Sequence, residues 1–297
     1  AGNGTSALSI LGSSVTATGS YFANPAGYAA RLQSGSAFST ISQSTMASSN
    51  TGNPALSLLG SSSNTISQSW IINPTGNAAY LNTGSNYNTI SQSTITNTDA
   101  FYSALTILAS SSNTILDSYV QGSAAALISG STGTVIGGTA FVATASNYSA
   151  LRLYGGSVNL SLTSSTFKGS SLGAGVLLDA GNSGLIALTS NTITGGRWGV
   201  SIATMTCGLC DGNLAITSMT FSGGLSAGAT AIHFLGGTFT STFTSVAFND
   251  ANININVNGI YLNSASTITM RSDDGLRTGP DYERDFADPD GVIDWAD

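Results

Sequence analysis

Thr40-Ile41-Ser42-Gln43-Ser44 returns as Asn64-Thr65-Ile66-Ser67-Gln68-Ser69, again as Asn88-Thr89-Ile90-Ser91-Gln92-Ser93, and in weaker form as Asn113-Thr114-Ile115. The isoleucines stand 25, 24 and 25 residues apart. A fixed period of this size is the mark of a chain built from stacked copies of one supersecondary unit. A second phrase, apolar–variable–apolar, lies between the copies: Leu8-Ser9-Ile10, Ala30-Arg31-Leu32, Leu56-Ser57-Leu58, Ala79-Tyr80-Leu81, and onward to Ile232-His233-Phe234 and Ile260-Tyr261-Leu262. The outer positions are always apolar and the middle one ranges from Ser to Arg, which is the period-2 pattern of a strand with one buried face. A third apolar row runs Phe22, Met46, Ile71, Ile95, Val120, Phe141, Phe167, Ile193, Phe221 and Phe248.

Three short strands per coil of about 25 residues predict an all-β chain: a right-handed parallel β-helix of about eleven coils over residues 1–270. A propeller blade needs roughly 40–50 residues, and the regular leucine-rich phrase is absent. Ser, Thr, Gly and Asn dominate, with one Lys and one Glu, so helix is disfavoured. Asn64, Asn88 and Asn113 fall at turns. Asn tolerates left-handed geometry there, and stacked Asn amides can bond to one another along the coil axis.

A β-helix with Asn in its turns resembles the pectate-lyase-like superfamily in architecture. The Asn-Thr-Ile-Ser-Gln-Ser wording resembles long, low-charge repeat proteins of bacterial surfaces. The resemblance spans residues 1–270 and speaks for the fold rather than for an activity, since one fold hosts many functions.

Charged residues make up 7% of the chain, against roughly 25% in ordinary globular domains. Residues 1–270 carry a net charge of −1 and residues 271–297 a net charge of −6. The second segment is therefore set apart as an acidic C-terminal tail or linker. No basic footprint for nucleic acid is present, and no apolar run approaches the ~20 residues of a membrane span. A neutral, Ser/Thr-rich surface suits a secreted or cell-surface protein whose signal peptide has been cleaved. The sequons at Asn3, Asn147 and Asn159 are read as chance in so Asn- and Ser-rich a chain.

Cys207 and Cys210, in Cys-Gly-Leu-Cys, sit in the longest gap between coils. No strand–helix frame for a redox motif surrounds them, and zinc would need further ligands, so a small disulfide is expected. Asp288, Asp290 and Asp294 have the Asp-x-Asp-Gly-x-x-Asp spacing of half a thrombospondin-type calcium motif, which makes calcium the candidate metal and the one cofactor considered. An acidic linker explains the same residues equally well.

Catalysis on a β-helix would show as carboxylates in matching positions of neighbouring coils, and none appear. The outward middle row runs Ser9, Arg31, Ser57, Tyr80, Thr106, Leu127, Arg152, Leu177, Ser201, His233, Tyr261. Arg152 and Asp179, one coil apart, are expected to form a surface ion pair of small worth. His233 is expected to be a solvated histidine. Thr40, Thr65, Thr89, Thr114 and Thr134, flanked by Ser42, Ser67 and Ser91, read as an outward Thr/Ser lattice like those of ice-binding solenoids, although Thr suits exposed strands in any case. Tyr21, Trp70, Tyr119 and Tyr154 are expected to point outward. The first three lie in one row, one in every second coil, a spacing that is thin for a carbohydrate groove.

An uncovered end coil offers a bare strand edge and apolar side chains. Covering Leu8 and Ile10 with Ile260 and Leu262 of another copy would generate a head-to-tail, propagating contact. The sequence therefore suggests a non-enzymatic extracellular structural protein, a fibre or filament subunit. An adhesin or glycan-binding passenger of a larger surface protein, with a glycan or host-surface ligand, is the alternative. A polysaccharide lyase or hydrolase stands third.

Overall fold

The computed structural model describes residues 4–202, 214–234, 237–244, 247–248, 260–262, 266–272, 286–287 and 292–295; at residue 228 and beyond residue 233 it describes backbone alone. Among the described residues there is no helix, and none is long and apolar enough to cross a membrane. The chain is an all-β parallel solenoid of right-handed type with about eight turns, rather than the eleven counted in the sequence. Beyond Ile202 the description is interrupted, so the later copies of the phrase appear only as separate paired strands. The chain divides into two compact units, Ala1–Ala145 and Ser146–Asp297.

In the first unit each coil contributes one strand to each of three parallel sheets. Sheet A holds Ser6–Leu11, Tyr28–Gln33, Leu56–Leu59, Ala79–Asn82, Ser103–Leu108 and Ala124–Ser129. Sheet B holds Thr16–Thr18, Thr40–Ser42, Thr65–Ser67, Thr89–Ser91, Thr114–Leu116 and Thr132–Gly137. Sheet C holds Tyr21–Asn24, Thr45–Ser48, Trp70–Ile72, Thr94–Thr96, Tyr119–Gly122 and Ala140–Ala143. The register is set by burial. Ile41, Ile66, Ile90, Ile115 and Ile136 pair in sequence and are all fully buried. Met46, Ile71, Ile95, Val120 and Phe141 do the same in sheet C. A one-residue slip would turn the whole row to solvent. Each buried Ile contributes on the order of 2 kcal/mol of transfer free energy.

Two corrections concern the corners and the Thr row. Asn64, Asn88 and Asn113 form the expected ladder but do not take the left-handed conformation. That role falls to the residue before each, Ser63, Tyr87 and Ser112, with φ of 57°, 57° and 54°. The asparagines are thereby turned inward and buried, where their amides satisfy corner backbone groups. The Thr row begins at Thr16, which pairs with Thr40, and ends at Thr114, whose partner is Val135 rather than Thr134. Thr134 is buried. The step from Ile115 to Ile136 is only 21 residues, and this shortening moves the register.

The second unit repeats the plan less regularly. Leu151–Tyr154 and Ala174–Leu178 open its sheet A. Thr192–Ile202 runs from sheet C into sheet A without a break, with register shifts against its neighbours, and Leu225–Phe234 pairs with it in sheet A. Ile260–Leu262 pairs with Ile232–Phe234, and within 271–297 the backbone strands Phe286–Ala287 and Val292–Trp295 pair in parallel with earlier strands.

Candidate functional site: an aromatic face and a loop-walled cleft

Sheet C of the first unit carries the aromatic row. Tyr21 pairs with Thr45, Thr45 with Trp70, Trp70 with Thr94, and Thr94 with Tyr119. The three rings are exposed, at 72%, 52% and 37%. They alternate with threonines along one line of the sheet, so neighbouring rings are two coil steps apart, ~10 Å. The Tyr119 hydroxyl donates to Gln121 Oε1 at 2.7 Å, which fixes the ring along its strand. Phe38 and Tyr87 repeat the alternation at the corner before sheet B and are likewise exposed. Among the described residues every exposed aromatic side chain belongs to the first unit. Tyr154, in the second unit, is half-buried under the Arg152 guanidinium at 5.4 Å.

The second feature is a cleft of about 280 Å³ lined by Thr51, Gly52, Pro54, Asn77, Tyr80 and Tyr102. Tyr80 rises from sheet A, and the other residues come from the loops that lead from sheet C to sheet A. These loops are pinned from beneath by asparagines that end the sheet C strands. The Asn73 amide nitrogen reaches the carbonyl oxygens of Asn50 at 2.9 Å, Asn53 at 3.1 Å and Asn77 at 3.1 Å. That of Asn97 donates to Gly76 at 3.2 Å and Tyr102 at 2.7 Å. Gly76 admits no Cβ: one would lie 2.8 Å from the Asn50 oxygen and 2.9 Å from that of Thr51. Asp99 accepts the backbone N–H of Phe101 at 2.7 Å and of Tyr102 at 3.3 Å, so its carboxylate shapes the loop that presents these rings. Sequence reading missed this asparagine row. Its signal was present in Asn24-Pro25-Ala26-Gly27 and Asn73-Pro74-Thr75-Gly76.

The outward row of sheet A is more enclosed than its alternation predicts. Ser57 and Thr106 are buried, and Arg31 and Tyr80 are half-buried. Arg31 lies over the Tyr28 ring at 4.7 Å.

In the second unit Arg152 Nε and Asp179 Oδ2 form the expected ion pair at 2.5 Å, with the arginine half exposed. His233 is not solvated. It is 7% exposed and stacks on Trp198 at 5.6 Å between centroids, with Arg197 5.0 Å over the same indole. Burial, with Arg197 as a second cause, lowers its pKa from the ordinary 6.5. The imidazole is therefore neutral at physiological pH and serves packing.

Among the described residues no group of three or more His, Cys, Asp or Glu side chains is placed to hold a metal. The described carboxylates, Asp99, Asp117 and Asp179, stand in different coils and form no acid/base pair. Cys207 and Cys210 lie outside the described residues, as do Asp288, Asp290 and the side chain of Asp294. Leu8 is half-buried and Ile10 is 2% exposed, whereas Ile260 and Leu262 are described by backbone alone.

No protein-family model and no curated protein matches the sequence. Among solved structures, the chain is similar to PfbA, a surface adhesin of Streptococcus pneumoniae, at 11% identity and a TM-score of 0.48, over 93% of this chain and 81% of that one. It is similar to the Agl-KA catalytic domain at 10% identity and a TM-score of 0.46, over 97% of this chain and 62% of that one. DFA-IIIase from Arthrobacter chlorophenolicus A6, in complex with GF2, gives 14% identity and a TM-score of 0.42, over 95% and 67%. An adhesin and catalytic proteins stand side by side here, and likeness at this level bears on no ligand or reaction.

Proposed function

We propose that the first unit is the glycan-binding face of a secreted or cell-surface protein that works by adhesion rather than turnover. The observation that carries this reading is the row Tyr21–Trp70–Tyr119, exposed and in register at every second coil. A coil step is ~4.8 Å, close to the rise per sugar of a flat β-1,4-linked chain. Successive sugars in such a chain are flipped, so the same ring face recurs at every second sugar. A row that is too sparse for a deep groove is thus matched to an extended chain lying along the sheet. The intervening Thr45 and Thr94 offer hydroxyl groups between the platforms, and the sheet is free of charged side chains along this row. Rigid aromatic side chains supply contact area at low entropic cost.

The test is titration calorimetry of the full chain with cellohexaose and chitohexaose, with maltohexaose, a coiled α-linked chain, as the contrast. The extended sugars should bind and maltohexaose should bind less well. Trp70→Ala should weaken binding at least about tenfold, equivalent to 1.4 kcal/mol, without lowering the Tm. Absence of binding to either extended sugar, or affinity indifferent to Trp70→Ala, overturns the reading.

A further inference from the structure

We infer that Arg31 is the centre of an anion-binding subsite on the outer face of sheet A, built for a carboxylate or sulfate group carried by a ligand that also enters the Tyr80 cleft. Arg31 is the only basic residue among the first 145. Among the described residues no carboxylate lies within ion-pairing distance of it, the one ion pair being Arg152–Asp179. Of the two acids in this unit, Asp99 is committed to the N–H groups of Phe101 and Tyr102, and Asp117 stands at the corner between sheets B and C. A half-buried cation without a counter-ion is an unusual arrangement, because partial desolvation raises its cost and strengthens its pull on an anion.

The arginine is also held ready. Its guanidinium rests on the Tyr28 ring at 4.7 Å, a contact that orients the plane of the fork. Its Nε is buried and has no hydrogen-bond partner, so one edge of the group is shielded from water while the far nitrogens remain for a ligand. Ser9 and Ser57 flank it in register on the same face. Tyr80, which lines the cleft, follows Ser57. Arg31 and Tyr80 are therefore two coil steps apart, ~10 Å. One ligand can place a ring in the cleft and a charged substituent on the arginine, where the planar fork matches carboxylate and sulfate oxygens bidentately. The chain as a whole has a net charge of −7, so non-specific charge attraction opposes such binding rather than producing it.

Three oligosaccharides of matched length serve as probes: a dextran sulfate fragment, a uronic-acid oligomer and uncharged dextran. Each is titrated into the full chain at low and at physiological salt. At least one anionic probe should bind, more weakly as salt rises, with the uncharged one at least tenfold weaker. Arg31→Gln should lose about tenfold in affinity, Arg31→Lys should keep part of it, and Arg152→Gln should change nothing. Thermal unfolding of each variant separates lost binding from lost fold. Binding that disappears below the carboxylate's pKa identifies a uronate, and binding that persists there identifies a sulfate. Trp70→Ala should leave the anionic probe's affinity intact, so failure of the neutral-glycan reading leaves this one standing. Equal affinity of wild type and Arg31→Gln for the anionic probes, or no binding of either to the wild type at millimolar concentration, overturns the inference.

Discussion

Asn64 donates its side-chain amide to Asn88 Oδ1 at 3.1 Å, and the same oxygen receives the Asn64 backbone N–H at 2.9 Å. Asn88 repeats both bonds to Asn113, at 3.2 Å and 2.9 Å. A second buried ladder runs through the last Ser of each repeat. Ser69 Oγ accepts the Ser44 N–H at 3.2 Å and donates to the Ser67 carbonyl at 2.7 Å. The conserved spacing of the phrase is thus a hydrogen-bond code for the corners. Its Ile is the core, and its Asn and final Ser satisfy corner groups that burial would otherwise leave unpaired.

Asn88→Ala should therefore cost more than a typical polar substitution. It removes the acceptor for two Asn64 donors, and the amide that bonds Ser61 and Asn113. A loss of about 3 kcal/mol is expected in urea unfolding, against less than about 0.5 kcal/mol for Ser91→Ala on the outer face. Equal losses would show that the ladder is not what holds the corner.

Ile66 and Ile90 are both fully buried and in register. Ile90→Val should cost about 1 kcal/mol. Ile90→Asp places an unpaired carboxylate between two coils and should abolish the cooperative unfolding of the first unit, read by circular dichroism and calorimetry. Full thermal stability of the Asp variant would refute the register.

His233 gives the second unit an acid-sensitive element. Its folded pKa lies below the ordinary 6.5. Above that value the imidazole is neutral in both states. Below it the unfolded chain takes up a proton that the folded chain resists, so stability falls as pH drops toward the lower folded value. Carboxylates titrate further down. The Tm of the wild type should therefore decline between neutral and mildly acid pH more steeply than that of His233→Gln. Parallel curves would show that the histidine contributes nothing to the slope.

Asp179→Asn should change stability by less than about 1 kcal/mol, because its Arg152 partner is half exposed. The wild type should release no reducing sugar or unsaturated product from polygalacturonate above background. Turnover that vanishes in Asp179→Asn would reveal a minimal active site at this pair.

The strands were legible because their signal is local and repeated. Ile66 sits inside because Thr65 and Ser67 flank it, Leu56 and Leu58 because they stand two apart about Ser57, and the coil length fixes which coil each meets. The corners were legible only in part. That Asn64 is buried follows from the ladder, but which neighbour adopts the left-handed turn is decided by backbone closure, and Ser63 takes it without any residue preference to announce it. Thr134 was misplaced because a 21-residue coil breaks the count. His233 was misread because its cover, Trp198, comes from a strand that rounds the corner without a turn, and nothing near the histidine in sequence records this. The cleft depends on the individual turns of three successive sheet C to sheet A loops beside Tyr80, the one part of the coil whose sequence does not repeat.

The turn from sheet B to sheet C is made by a single left-handed residue, Gln43, Gln68 or Gln92, with φ of 49°, 49° and 48°. Its length is invariant in these coils, since the preceding Ser closes a sheet B strand and the following Ser is locked into its ladder. The link from sheet C to sheet A is not: it runs from Ile72 to Ala79 in one coil and from Gly122 to Ala124 in another. Each coil therefore behaves as a cassette with one variable edge. Selection for a new ligand, or a designer grafting a foreign peptide, can exchange the segments 49–54, 74–78 and 98–102 without touching the strands, provided that contacts such as those of Asn73 and Gly76 with the loop before them are kept. An insertion at Gln68 would instead throw every later coil out of phase. The solenoid separates what must stay constant from what is free to change, and puts the second on the same edge as the cleft.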